Sequence, residues 1–162
     1  MRLSCLIAIA FLLFAAPCAS AAGPVSFRND VMAVLSKAGC NMGVCHGNQH
    51  GKGGFKLSLR GQDPAYDFDV LTREASHRRT NLLHPERSLM LLKPTMQVPH
   101  EGGRRFEPGS VEYDLLKDWI AAGLPPDRED APRLVDLHVT PTQGILADPE
   151  DAVQLSATAT FS

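Results

Sequence analysis

Two cysteines with four residues between them, the second followed at once by a histidine, constrain this chain more than any other feature. The segment is Cys40-Asn41-Met42-Gly43-Val44-Cys45-His46-Gly47. It brings two thiols and an imidazole within eight residues, so whatever they do, they do together. The start of the chain sharpens the point. Met1-Arg2 is a short basic opening, residues 3–16 are almost wholly apolar, and Ala19-Ser20-Ala21 is a small-x-small cleavage site, the three parts of a secretory signal. Cleavage after Ala21 is expected, with export to the periplasm or the extracellular space. Pro17 stands where lipidation of Cys18 would need a small residue, which argues against a lipid anchor. Of the four cysteines, Cys5 and Cys18 leave with the signal, and no disulfide scaffold can be built from the remaining two. The apolar stretch is shorter than the ~20 residues a spanning helix needs, so no membrane span is expected after signal cleavage.

Charge removes another class of partner. Sixteen Lys and Arg against 18 Asp and Glu give a formal net charge of -2, too weak a field for the phosphates of a nucleic acid. The 162 residues allow one full domain and part of another. Residues 27–37 read as a helix leading to Cys40, with Val31, Met32, Val34 and Leu35 on one side. Residues 43–54 carry five glycines and predict an irregular loop. The alternation of residues 55–59 predicts a short strand, and residues 85–92 a short helix opened by proline. Residues 94–108, with three prolines and a glycine pair, predict a second irregular loop. Residues 110–122 carry Leu115, Leu116, Trp119 and Ile120 as a helical stripe before Gly123. Residues 124–133 hold three prolines and five charges and read as a linker. Beyond it, residues 134–140 and 153–161 alternate with period two, which predicts strands. Two strands alone are marginal, so the chain is expected to end inside this second domain.

The motif admits several chemistries. Covalent haem attachment needs two thiols to add across two vinyl groups and a histidine beside the second thiol to reach the iron, usually as C-x-x-C-H. Here the spacing is C-x4-C-H, and the two extra residues can bulge at Gly43 without separating Cys45 from His46. A Cys40–Cys45 disulfide is a second reading, although so short a loop gains little entropy. A zinc site drawing on Cys40, Cys45, His46 and His50 is a third, and a redox dithiol a fourth, though neither the spacing nor the surroundings match the usual forms of these. Haem also accounts for the helix entering Cys40, the glycine loop after His46 and the final helix bearing Trp119.

Several phrases occur in one order: Gly39-Cys40-Asn41-Met42-Gly43-Val44-Cys45-His46-Gly47, Gly53-Gly54-Phe55-Lys56-Leu57-Ser58-Leu59-Arg60-Gly61, Pro85-Glu86-Arg87-Ser88-Leu89-Met90-Leu91-Leu92-Lys93-Pro94, Val98-Pro99-His100, and Tyr113-Asp114-Leu115-Leu116-Lys117-Asp118-Trp119-Ile120. Together they resemble the planctomycete-type cytochrome c domain found near the start of large exported proteins, over residues 25–127. After a linker at 128–133, residues 134–162 resemble the opening strands of a group 2 bacterial immunoglobulin-like domain. The resemblance implies a mainly α fold, a class I cytochrome c-like helical domain with irregular loops, followed by an incomplete all-β immunoglobulin-like sandwich. It also implies one covalently bound haem c, with Cys40 and Cys45 as thioether anchors and His46 as the proximal iron ligand. Related domains place the distal methionine in a Met-Pro-Pro motif, where this chain has Val98-Pro99-His100. His100 is therefore the favoured distal ligand and Met96 the rival.

The function expected is single-electron transfer, with no catalytic residue assigned. Its partner would be a redox protein or downstream domains of the same full-length protein. The alternatives are a non-haem extracellular structural or interaction module with a Cys40–Cys45 disulfide, and a haem enzyme with an open distal site. His50, His77, His84 and His138 read as surface residues, Trp119 as core. Arg78-Arg79 and Arg104-Arg105 read as mostly solvated pairs that could meet haem propionates or a partner.

Overall fold

The computed structural model describes residues 23–162. The signal sequence expected at 1–21, with Cys5, Cys18 and the cleavage site, lies outside the described residues. The described chain opens with a wide helical turn, Phe27–Val31, that runs directly into α1, Met32–Lys37. Its start is capped twice. Ser26 Oγ accepts from Asn29 N at 3.0 Å, and the Asp127 carboxylate accepts from Ser26 Oγ, Phe27 N and Arg28 N, each at 2.8 Å. Exposed N–H groups at a helix start need acceptors and favour negative charge. A residue about a hundred positions downstream supplies both here, which closes the domain on itself.

Three further helices follow. In α2, Pro64–Thr72, proline occupies the first position and the Asp63 side chain accepts from Tyr66 N at 3.0 Å. A 3-10 turn at Pro85–Arg87 precedes α3, Leu89–Leu92. The longest helix is α4, Val111–Ala121, where Ser110 caps Tyr113 N and the buried residues are Tyr113, Leu116, Trp119 and Ile120. That spacing lays one stripe against the Phe27–Val31 turn and Phe68 of α2. Trp119 is fully buried. Its ring centre lies 5.3 Å from Phe27 and 6.3 Å from Phe68, and its Nε1–H donates to the Pro125 carbonyl at 3.0 Å. Leu124 is buried as well, so the first part of the proline-rich stretch packs on the core. Lys37 and Glu112 join α1 to α4 with a 2.6 Å ion pair on the surface.

The fold class expected from the resemblance needs correction. Among the described residues the α-helices are four, of 6, 9, 4 and 11 residues. Long irregular loops join them, and the β structure is one two-stranded antiparallel sheet of β1, Leu134–Thr140, and β2, Ser156–Phe161. This is neither a mainly α domain nor an all-β sandwich. The physical reasons differ for the two halves. Prolines and glycines interrupt the first half so often that helices stop after one to three turns. A sandwich buries one face of each sheet against another, whereas both strands of this hairpin are almost entirely exposed.

The strand expected at 55–59 is also absent. Its donors are taken locally: Leu57 N bonds the His46 carbonyl at 2.8 Å, and Ser58 gives both N–H and Oγ–H to the Asp67 carboxylate at 2.6 Å each. No partner strand can compete for groups already satisfied. Asp67 is fully buried; burial raises its carboxyl while the two Ser58 bonds hold it down. Among the described residues no helix is long and apolar enough to cross a membrane.

The Asp67 clamp is open to measurement. Asp67→Ala should cost about 3 kcal/mol in urea unfolding, because it leaves the buried Ser58 N–H without an acceptor. Asp67→Asn should cost clearly less, since its amide oxygen can still take that proton.

Candidate cofactor cleft

The C-x4-C-H loop is folded by its own backbone. Cys40 N bonds the Leu35 carbonyl at 2.9 Å, which carries α1 into the motif. His46 N then returns to the Cys40 carbonyl at 3.0 Å, and Cys45 N to Met42 O at 2.9 Å. The intervening Met42 and Val44 are exposed, so the extra residues bulge outward. A side chain at Gly47 would run into the Asn41 carbonyl, and only glycine lets the chain leave the motif at this close approach.

Cys40, Cys45 and His46 line one cleft of about 560 Å³, and His100 lines it too. That volume is in the range of a small-molecule or cofactor site. The two cysteines are free thiols. Burial pushes the Cys40 thiol up to about 11; the Arg105 guanidinium pulls against that rise and Cys45 adds to it. Arg105 Nη2 also donates to Cys45 Sγ at 3.5 Å. Leu35, Leu71, Leu89 and Met90 supply apolar wall.

The histidines carry the most informative geometry. Their ring centres are 6.4 Å apart and their planes differ by 10°. Direct atomic contact would need about 3.5–4.0 Å, so the two rings are not packed on one another. Two imidazoles bound to one metal at about 2 Å each would have ring centres about 6 Å apart. Each ring is held the same way. His46 Nδ1 lies 2.9 Å from the Phe55 carbonyl, and His100 Nδ1 lies 2.9 Å from the Gly103 carbonyl. A carbonyl can only accept, so Nδ1 carries the proton in both and Nε2 carries the lone pair. Metal-binding histidines are usually oriented by such a bond on the other nitrogen. Burial lowers the pKa of His46, which keeps its ring neutral.

The fit to a large anionic ring can be tested on the rim. Lys52, Arg78, Arg79, Lys93 and Arg105 line the cleft against the single carboxylate of Glu101, which stands 3.8 Å from Lys52. In a chain of net charge -2 this is a concentrated cationic wall. Gly102 makes the space beside the second ring: an added Cβ would stand 2.8 Å from His100 Cε1 and 3.0 Å from Nε2. An apolar wall, a cationic rim and two histidines with Nε2 free to bind would suit a large, partly apolar group that carries acidic substituents and a metal. Among the described residues no three His, Cys, Asp or Glu side chains converge to hold a bare metal ion.

The structure thus brings Cys40, Cys45, His46 and His100 together. Met96 is 43% exposed and is not among the residues lining the cleft. His50, His77, His84 and His138 are exposed, and Trp119 is in the core. Of the four arginines in pairs, Arg78, Arg104 and Arg105 are exposed while Arg79 is half-buried. Phe55 and Gly102 have site contacts that the sequence reading missed, and Arg79 and Arg105, from the pairs read as mostly solvated, line the cleft. The only signal pointing at Phe55 was the glycine run before it, which allows the chain to turn back on His46.

Gly102→Ala should displace the His100 ring by on the order of 1 Å, because the new methyl overlaps it. A crystal structure of the variant checks this. Comparisons with known proteins add nothing to the geometry: no protein-family model, no curated protein and no solved structure matches the chain.

Proposed function

We propose that residues 25–127 form an exported c-type cytochrome module that carries one covalently attached haem and transfers single electrons. The observation that carries this reading is the histidine pair. Two rings 6.4 Å apart with planes within 10° share a cleft with both cysteines of the C-x4-C-H motif. Each also gives its Nδ1–H to a main-chain carbonyl. The phrases resembling the planctomycete-type domain support the same reading, since the cleft draws its residues from four of them.

When bound, the iron porphyrin supplies an Fe(III)/Fe(II) couple. The chain's own residues do the rest. Cys40 and Cys45 would hold the group through sulfur. His46 and His100 would offer their Nε2 lone pairs to its iron, and the Phe55 and Gly103 carbonyls fix both tautomers. Leu35, Leu71, Leu89 and Met90 would exclude water from it. Lys93 and Arg105 would offer positive charge to its acidic groups, which lowers the cost of holding them in a partly buried site. Two imidazole ligands give a lower reduction potential than a histidine and a methionine. The electron partner is a redox protein or a further domain of the same polypeptide.

Two measurements test the proposal on full chain produced with haem-attachment machinery. On a denaturing gel stained for haem peroxidase activity, the wild-type band should stain and the Cys40→Ala/Cys45→Ala band should not. In visible spectra, His100→Ala should lose the six-coordinate low-spin signature, while Met96→Ala keeps it. Colourless wild-type protein with the mass of the bare polypeptide overturns the proposal.

A further inference from the structure

Arg79 is the one member of the two arginine pairs that is not solvated. Its side chain is only 13% exposed, and a buried guanidinium ordinarily takes a carboxylate. Here the nearest carboxylate is loose: Glu74 Oε2 lies 3.7 Å from Nη2 and is itself half exposed. The closer contacts are of another kind. Nη1 donates to the Val70 carbonyl at 2.9 Å, at the end of α2, and Cζ lies 4.5 Å from the centre of the Phe55 ring.

Phe55 in turn touches His46 twice. Its ring centre is 4.4 Å from the imidazole centre with the planes 44° apart, and its carbonyl accepts from His46 Nδ1 at 2.9 Å. Arg79 is also fixed from its own backbone, where its carbonyl accepts from Met90 N at 3.1 Å. A rigid guanidinium anchored to α2 and to α3 therefore presses on the residue that orients His46. Phe55 sits at the end of a glycine turn, where its N–H donates to the Lys52 carbonyl at 3.1 Å and its ring packs at the margin of the core, with the Arg79 guanidinium over the ring.

We propose that Arg79 is a positioning residue for His46, acting through Phe55: the guanidinium clamps the aromatic ring so that the Phe55 carbonyl stays aligned with the imidazole Nδ1–H. Its importance for electron transfer rests on His46 being an iron ligand, as proposed above. The clamp itself is a property of the polypeptide. Lysine cannot replace it, because a compact, strongly hydrated ammonium neither stacks flat nor reaches the Val70 carbonyl and the ring face together.

The test reads hydrogen exchange of the two histidine Nδ1–H groups by 15N NMR on the full chain, matured and reduced so that low-spin iron is diamagnetic. Arg79→Ala and Arg79→Lys should each speed exchange at His46 about fivefold, the scale of one cation–π contact, and leave His100 unchanged. Arg73→Ala removes the same charge from a solvated position outside the cleft and should change neither. On a Phe55→Leu background, which keeps the carbonyl but not the ring, Arg79→Lys should add nothing further. If Arg79→Ala loses the parent's far-ultraviolet circular dichroism, Arg79→Lys decides the matter. An unchanged His46 rate in Arg79→Lys overturns the proposal, as do equal effects at His46 and His100 or an effect of Arg73→Ala as large as that of Arg79→Lys. Failure of the haem reading shows instead as colourless protein, on which the same exchange rates are still measured.

Discussion

Two hydrogen bonds between His46 and the segment that follows the glycine turn hold the cleft in shape. The His46 carbonyl accepts from Leu57 N at 2.8 Å and the His46 ring gives Nδ1–H to the Phe55 carbonyl at 2.9 Å. The first bond fixes where the segment runs and the second fixes how the ring is turned. Without them the residues from 48 to 56 have few internal partners, and the imidazole would sample several rotamers at little cost. The apolar core reaches the segment at Leu57 and, at its margin, Phe55, while the turn of the imidazole itself is set by the polar bond.

The rest of the domain supports that pairing from behind. Ser58 is locked to the buried Asp67 carboxylate, which ties the end of the segment to α2. Arg79 bridges α2 to Phe55. The Trp119, Phe27 and Phe68 rings join α4 to the first helix and to α2, and Asp127 closes the chain onto residues 26–28. A small domain with short helices buries limited apolar area, and these long-range polar ties substitute for some of it. A bound macrocycle would extend the apolar contact further, from Leu35 and Leu71 on one wall to Met90 on another. In the proposed electron carrier, the fold and the cofactor would stabilise each other.

Much of the local structure was legible. The helix expected over 110–122 forms as α4, Val111–Ala121, because Ser110 meets the needs of its first turn. The period-two runs at the C-terminal end form a hairpin, although β2 begins at Ser156, three residues later than the alternation suggested. The alternation at 55–59 misled for a definite reason. Apolar Phe55, Leu57 and Leu59 alternate with polar residues, but Leu57 alone is buried, and side-chain and loop acceptors take the donors that a strand would have used. The misreading of fold class has a similar origin. Resemblance of phrases carried a whole architecture with it, while the glycines and prolines between those phrases allow only short helices.

By itself, the sequence determined the spacing of the thiols and imidazole and the places where helices start and stop. These depend on neighbours within a few positions, and local sterics and hydrogen bonding decide them. Only the tertiary structure decided that His100, more than fifty residues after His46, shares its cleft at 6.4 Å between ring centres while Met96 stays at the surface. The same holds for the burial of Arg79 against Phe55 beside its solvated neighbour Arg78. Such outcomes turn on which backbone carbonyl or ring face lies within reach once distant segments have packed, and no periodicity in the chain encodes that.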